Sequence, residues 1–135
     1  MAGINLFYQF TNPIEKQKEQ QKAQKNALIN KNYKEIYAHE AAHKAAGGNL
    51  AGSIVIEKNA DGIPVAGHVD IKMPLLNPKN PQKTIDDANT VIKSAMAPSD
   101  PSTQDYKVAS KAQSLKMQAR AIKNKNVGNK LDCDA

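Results

Sequence analysis

Cysteine is almost missing from this chain of 135 residues. Cys133 stands alone, so no internal disulfide can brace the fold. Tryptophan is absent and aromatic residues make up only 4%. Many of the hydrophobic residues are alanine, so a small core is possible, but not one that uses the whole length. No apolar run reaches the roughly 18 residues of a membrane-spanning helix. The opening MAGINLFYQF has neither a basic leader nor a long apolar stretch and does not read as a signal peptide. The expectation is one soluble, cytoplasmic domain with extensions.

Arginine is scarce too: Arg120 is the only one among 19 basic residues. The net charge of +6 is unevenly spread. Lysine accumulates in residues 1–34 and 106–131, while residues 35–105 hold nine acids against six lysines. Lysine can neutralise phosphates, but base readout relies on arginine and amide forks or stacking aromatics. Lys-rich ends of this kind read as solvated helix faces, and nucleic acid is not the expected partner.

Asn12-Pro13 is a helix start, with Asn as N-cap and Pro in the first turn. A Lys- and Gln-rich helix with a thin apolar stripe follows to about residue 30. A better one spans 31–46, ended by Gly47-Gly48, and the two either run on or kink near Asn30-Lys31-Asn32. The β-branched run 53–57 and the alternating run 64–71, joined through Asp61-Gly62, predict a β-hairpin. Three prolines make 73–81 a loop. Residues 82–97 read as a helix with Ile85, Ala88, Val91, Ile92 and Ala95 on one face. A last helix begins at Asp100-Pro101 or at a Ser102/Asp105 capping box and runs to about Lys123. The fold class is therefore α+β: a motif helix, one β-hairpin and two C-terminal helices, with a Lys-rich N-terminal helical extension. The expected divisions are an arm and helix over 1–31, a main folded domain over 32–123 and a flexible tail over 124–135. An arm or strand over 1–10 would dock on the core.

His39-Glu40-Ala41-Ala42-His43 is an H-E-x-x-H sequence on a segment that is helical on other grounds. Residues i and i+4 share one helix face, so both imidazoles can reach one ion. Glu40 projects beside that face, where a carboxylate can take a proton from water activated by the ion. The chain has only three histidines and five glutamates, so chance is a poor explanation of the match. A catalytic zinc takes three protein ligands. His68, on the second predicted strand after Gly67, is the expected third, with Asp105 the alternative and Glu57, Asp86 and Asp87 weaker candidates. Asp70 could orient an imidazole. Cys133, in a polar tail, is a poor nucleophile candidate, Tyr37 reads as packing, and Tyr106 is a weak candidate for hydrogen-bonding an oxyanion.

The segments YAHEAAHKAAGGNLAG (37–52), DGIPVAGHVDI (61–71) and APSDPSTQDYKVASKA (97–112) together resemble the bacterial SprA-related family. That family carries HE-x-AH-x-AAGG-like, D-G-x-x-x-x-V-G-G-E-V-like and AP-x-x-PS-x-QD-like segments in this order. The resemblance covers roughly residues 35–120. It implies a zinc-dependent metallopeptidase acting on a peptide or protein, with His39 and His43 as metal ligands and Glu40 as base. Where the family has Gly-Glu-Val this chain has Gly67-His68-Val69, a swap between two ligand types that fits a coordinating position or a degenerate copy. Asp105 matches the family's PS-x-QD segment. Two other classes stay open at this point: a non-catalytic module whose Lys-rich helices bind an acidic partner or nucleic acid, and an inactive zinc-stabilised scaffold.

Overall fold

The computed structural model describes the backbone of residues 12–134 and side chains to residue 128. The expected arm at 1–10 and the side chain of Cys133 lie outside that range. Helix α1 spans Pro13–Gly47. It starts where the Asn12 side chain accepts the Glu15 amide at 3.3 Å, with Pro13 in the first turn. The helix is continuous through Asn30-Lys31-Asn32, where the sequence also allowed a kink. No Pro or Gly interrupts that stretch, so nothing in the backbone forces a break. Every residue from Pro13 to Leu28 is exposed, so this half carries no packed face. Ile29 is half-buried, and Asn32 ties the helix to the body, its side-chain amide donating to the Pro64 carbonyl at 3.0 Å.

Gly48 closes α1 with φ of 52°, a left-handed conformation that glycine takes without strain. A single 3-10 turn, Gly48–Leu50, hands the chain to strand β1 (Ala51–Lys58), which pairs antiparallel with β2 (Pro64–Ile71). In the connecting turn Asn59 Oδ1 accepts the amides of Asp61 and Ile63 at 2.9 and 3.0 Å. Gly62 again supplies a positive φ, 78°. The register sets Val55 opposite His68 and Ile56 opposite Gly67. Pleating divides the hairpin. Ile54, Ile56, Val69 and Ile71 are half-buried, while Val55, His68 and Asp70 are exposed.

Helix α2 (Pro81–Ala95) starts at Asn80, whose side chain accepts the Lys83 amide. Its stripe of Ile85, Ala88, Val91 and Ala95 is buried, as the 3.6-residue period predicts. Helix α3 (Thr103–Asp134) packs along it. Ala88, Val91 and Ala112 form the core, surrounded by Leu50, Ile71, Met73, Ile92 and Val108. Alanines at that crossing let the helices approach closely, which is how a chain poor in aromatics builds an interior. The backbone of α3 stays helical to Asp134, well past Lys123, since no proline follows to stop a helix already nucleated. Among the described residues no helix is long and apolar enough to cross a membrane.

Candidate metal centre

Three elements converge on the H-E-x-x-H face of α1. His39 and His43 lie one turn apart, with ring centroids 4.8 Å from each other at an angle of 76°. Their Nε2 atoms are 3.2 Å apart. Asp105 Oδ2 sits 3.3 Å from His39 Nε2 and 3.2 Å from His43 Nε2. Asp105 is held there by the capping box at the start of α3. Its Oδ2 accepts the Ser102 amide at 2.8 Å, and its own amide donates to Ser102 Oγ at 3.1 Å. The motif that begins the helix thus also aims a carboxylate at the two imidazoles.

The remaining ring nitrogens fix the electrostatics. His43 Nδ1 lies 2.7 Å from the Ser94 carbonyl oxygen, which can only accept, so Nδ1 carries the proton. His39 Nδ1 lies 3.2 Å from Asp100 Oδ1 and donates likewise to the carboxylate. A ring that carries its single proton there turns a bare lone pair at Nε2 to the centre. In that tautomer two lone pairs and a carboxylate oxygen face one another at 3.2–3.3 Å without a donor. Such an arrangement is stable only with a proton or a cation among them. The cluster is no surface accident. His43 is 5% and Glu40 7% exposed, and Ser94 anchors the helix a second time by donating Oγ–H to the His43 carbonyl at 2.6 Å.

Tetrahedral zinc with bonds of about 2.0–2.1 Å places its ligand atoms roughly 3.3–3.4 Å apart. The triangle of His39 Nε2, His43 Nε2 and Asp105 Oδ2 has edges of 3.2, 3.2 and 3.3 Å, so the donor set fits such an ion. Glu40 belongs to the same group: one ligand atom each of His39, Glu40 and His43 falls within 4.8 Å of the others. A cavity of about 530 Å³ opens over these residues, bounded by β2 on one side and by Ser102, Asp105 and Val108 on the other.

His68, the residue expected to complete the ligand set, lies outside this triangle. A Cβ on its neighbour Gly67 would point at Ile36 and Glu40 of α1, so alternation turns the His68 side chain to the opposite face of the hairpin, although the residue still borders the cavity. There its Nδ1 is 3.6 Å from Glu57 Oε1, and its side chain is 46% exposed. Asp70 is exposed beside it. The partners that orient the imidazoles are instead Asp100 and the Ser94 carbonyl. Sequence reasoning passed over both. Ser94, a polar residue beside the apolar stripe of α2, was the readable hint, whereas Asp100 read only as a cap. Asp86 and Asp87 pair with Gln82 and Lys83 on α2. Tyr37 and Tyr106 are exposed and do not line the cavity.

Comparison with known families gives one result: the model of the SprA-related family matches residues 8–126. Searches of curated proteins and of solved structures found no significant match.

Proposed function

The chain belongs to the SprA-related family, and from that membership and the cluster on α1 we propose that it is a zinc-dependent metallopeptidase. The observation that carries the proposal is the triangle of two imidazole nitrogens and one carboxylate oxygen with 3.2–3.3 Å edges. His39, His43 and Asp105 are the ligands; this departs from the expectation of His68 and takes up its alternative. A bound zinc ion supplies Lewis acidity, acidifying water and polarising a carbonyl. Glu40 is the general base. Its buried carboxylate stands beside the ligand triangle, where it accepts a proton from the attacking water and returns it to the leaving amine. Asp100 and the Ser94 carbonyl hold the two rings with Nε2 turned inward. The substrate is a peptide or protein segment lying in the cavity between β2 and α3.

Elemental analysis of purified protein tests the metal, and a fluorogenic peptide library tests the activity. One zinc per chain is expected, with hydrolysis that a chelator abolishes and zinc restores. Glu40→Gln should keep the zinc and lower kcat by about 10²-fold or more. Zinc without hydrolysis on any library would leave a metal-stabilised scaffold and sink the peptidase reading. Hydrolysis unchanged in Glu40→Gln would do the same.

A further inference from the structure

Among the described residues the hairpin has two strands, so β2 has a strand partner there only on one side. Which of its main-chain groups are free follows from the pleat. The Lys72 amide donates to the Leu50 carbonyl at 2.8 Å, so it points towards β1. The register irregularity near Ala51 inserts its extra residue in β1, leaving β2 regular from Ala66 to Ile71. Alternation then directs the amides of Asp70, His68 and Ala66 towards β1 as well. Gly67, Val69 and Ile71 turn their N–H and C=O groups to the open edge.

That edge borders the metal cluster. Six consecutive residues, Ala66 to Ile71, line the cavity that holds His39, Glu40, His43 and Asp105. Residues of both parities appear in this run, so the strand meets the cavity along its edge and not by one face. Gly67 brings it close: a Cβ there would stand 3.0 Å from Glu40 Cγ and 2.5 Å from Ile36 Cγ2. The facing wall is the first turn of α3, with Ser102 and Gln104. The opening, about 530 Å³, falls within the usual range for ligand sites, about 300–1,000 Å³.

We propose that the open edge of β2 takes an extended polypeptide as a third strand, hydrogen-bonded to Gly67, Val69 and Ile71, which carries a peptide bond of that segment past Glu40. The identification of this guest as substrate rests on the metallopeptidase reading; the binding mode does not. Recognition through main-chain groups is tolerant of side chains, so the site takes unstructured segments of varied sequence and rejects the same residues when folded as a helix. Gly67 is the position where the guest comes nearest the carboxylate.

The test uses the full chain with Glu40→Gln, loaded with zinc, so that bound peptide persists. The probe is a pool of blocked, cysteine-free decapeptides of mixed composition, alongside the same pool with alternate amides N-methylated. Binding is followed by amide hydrogen exchange. The expected result is slowed exchange at Gly67, Val69 and Ile71 with the first pool, and about tenfold or weaker binding of the N-methylated pool. Val69→Pro, which removes an outward amide without touching the pairing to β1, should weaken binding severalfold with far-ultraviolet dichroism unchanged. Equal binding of the two pools, protection confined to α3 or to the exposed hairpin face, or no peptide binding at all overturns the proposal. If Val69→Pro unfolds the hairpin, the paired pools still decide. Failure of the peptidase reading shows separately, as wild-type protein that lacks zinc or cleaves nothing.

Discussion

Asp105→Asn is the sharpest perturbation of the centre. Asparagine keeps the shape, and its side-chain oxygen can still accept the Ser102 amide that Asp105 accepts at 2.8 Å, so the helix cap survives. What disappears is the anionic oxygen 3.2–3.3 Å from both Nε2 atoms. Zinc bound by four protein ligands contributes about 10–16 kcal/mol, or about 2.5–4 kcal/mol per ligand if shared evenly. Zinc affinity should therefore fall about 10²- to 10³-fold, at about 1.4 kcal/mol per decade. His68→Ala is the counterpart. Its imidazole is 46% exposed beside Glu57, so its loss should leave affinity within about threefold, as for an exposed pair of little energetic weight. Competition against a chromophoric chelator at fixed salt gives both values, and thermal unfolding without zinc checks that neither variant has lost its fold. If His68→Ala loses zinc while Asp105→Asn keeps it, the triangle is misassigned and the argument from its edges fails.

Asp100→Asn removes the charge next to His39 Nδ1 and should weaken zinc binding about 10-fold, the lower end for partners that orient a ligating histidine. Calorimetric titration reads it, and an unchanged affinity would show that the Asp100 contact does not orient the ring. Gly67→Ala places a methyl 2.5 Å from Ile36 Cγ2 and 3.0 Å from Glu40 Cγ, so β2 must move off α1 at a cost of about 1–3 kcal/mol. Chemical denaturation should show that loss; a variant as stable as wild type would mean that the strand does not approach α1 so closely.

The fold was largely legible, because its signals are local. Asn12-Pro13 and the Ser102/Asp105 box mark helix starts, and the alternation of 64–71 marks a strand, whereas the Asn80-Pro81 start of α2 falls inside the stretch 73–81 that its prolines mark as a loop. The continuity of α1 and the length of α3 were not legible. Both lie in Lys-rich stretches without an apolar stripe, where propensity supports a helix but says little about where it stops. His39, Glu40 and His43 were readable since i and i+4 spacing fixes their shared face. The remaining partners depend on how distant elements meet. Asp105 comes from 62 residues beyond His43, and only the packing of α3 on α2 brings it in. His68 fitted by residue type, yet strand alternation, set by Gly67 packing on α1, turns it to the other face.

The two histidines stand on α1, which packs on the hairpin and on α2, while Asp105 stands on α3, which packs on α2 and meets α1 only slightly. An ion shared between them would be a tether that closes a loop of 62 residues from His43 to Asp105. By the entropy of a covalent crosslink over such a span, that closure is worth about 4 kcal/mol. Removing such an ion would unfasten the start of α3 from α1 and leave α2 and the hairpin to hold the body together, so a filled centre would be as much a mechanical joint as a chemical one.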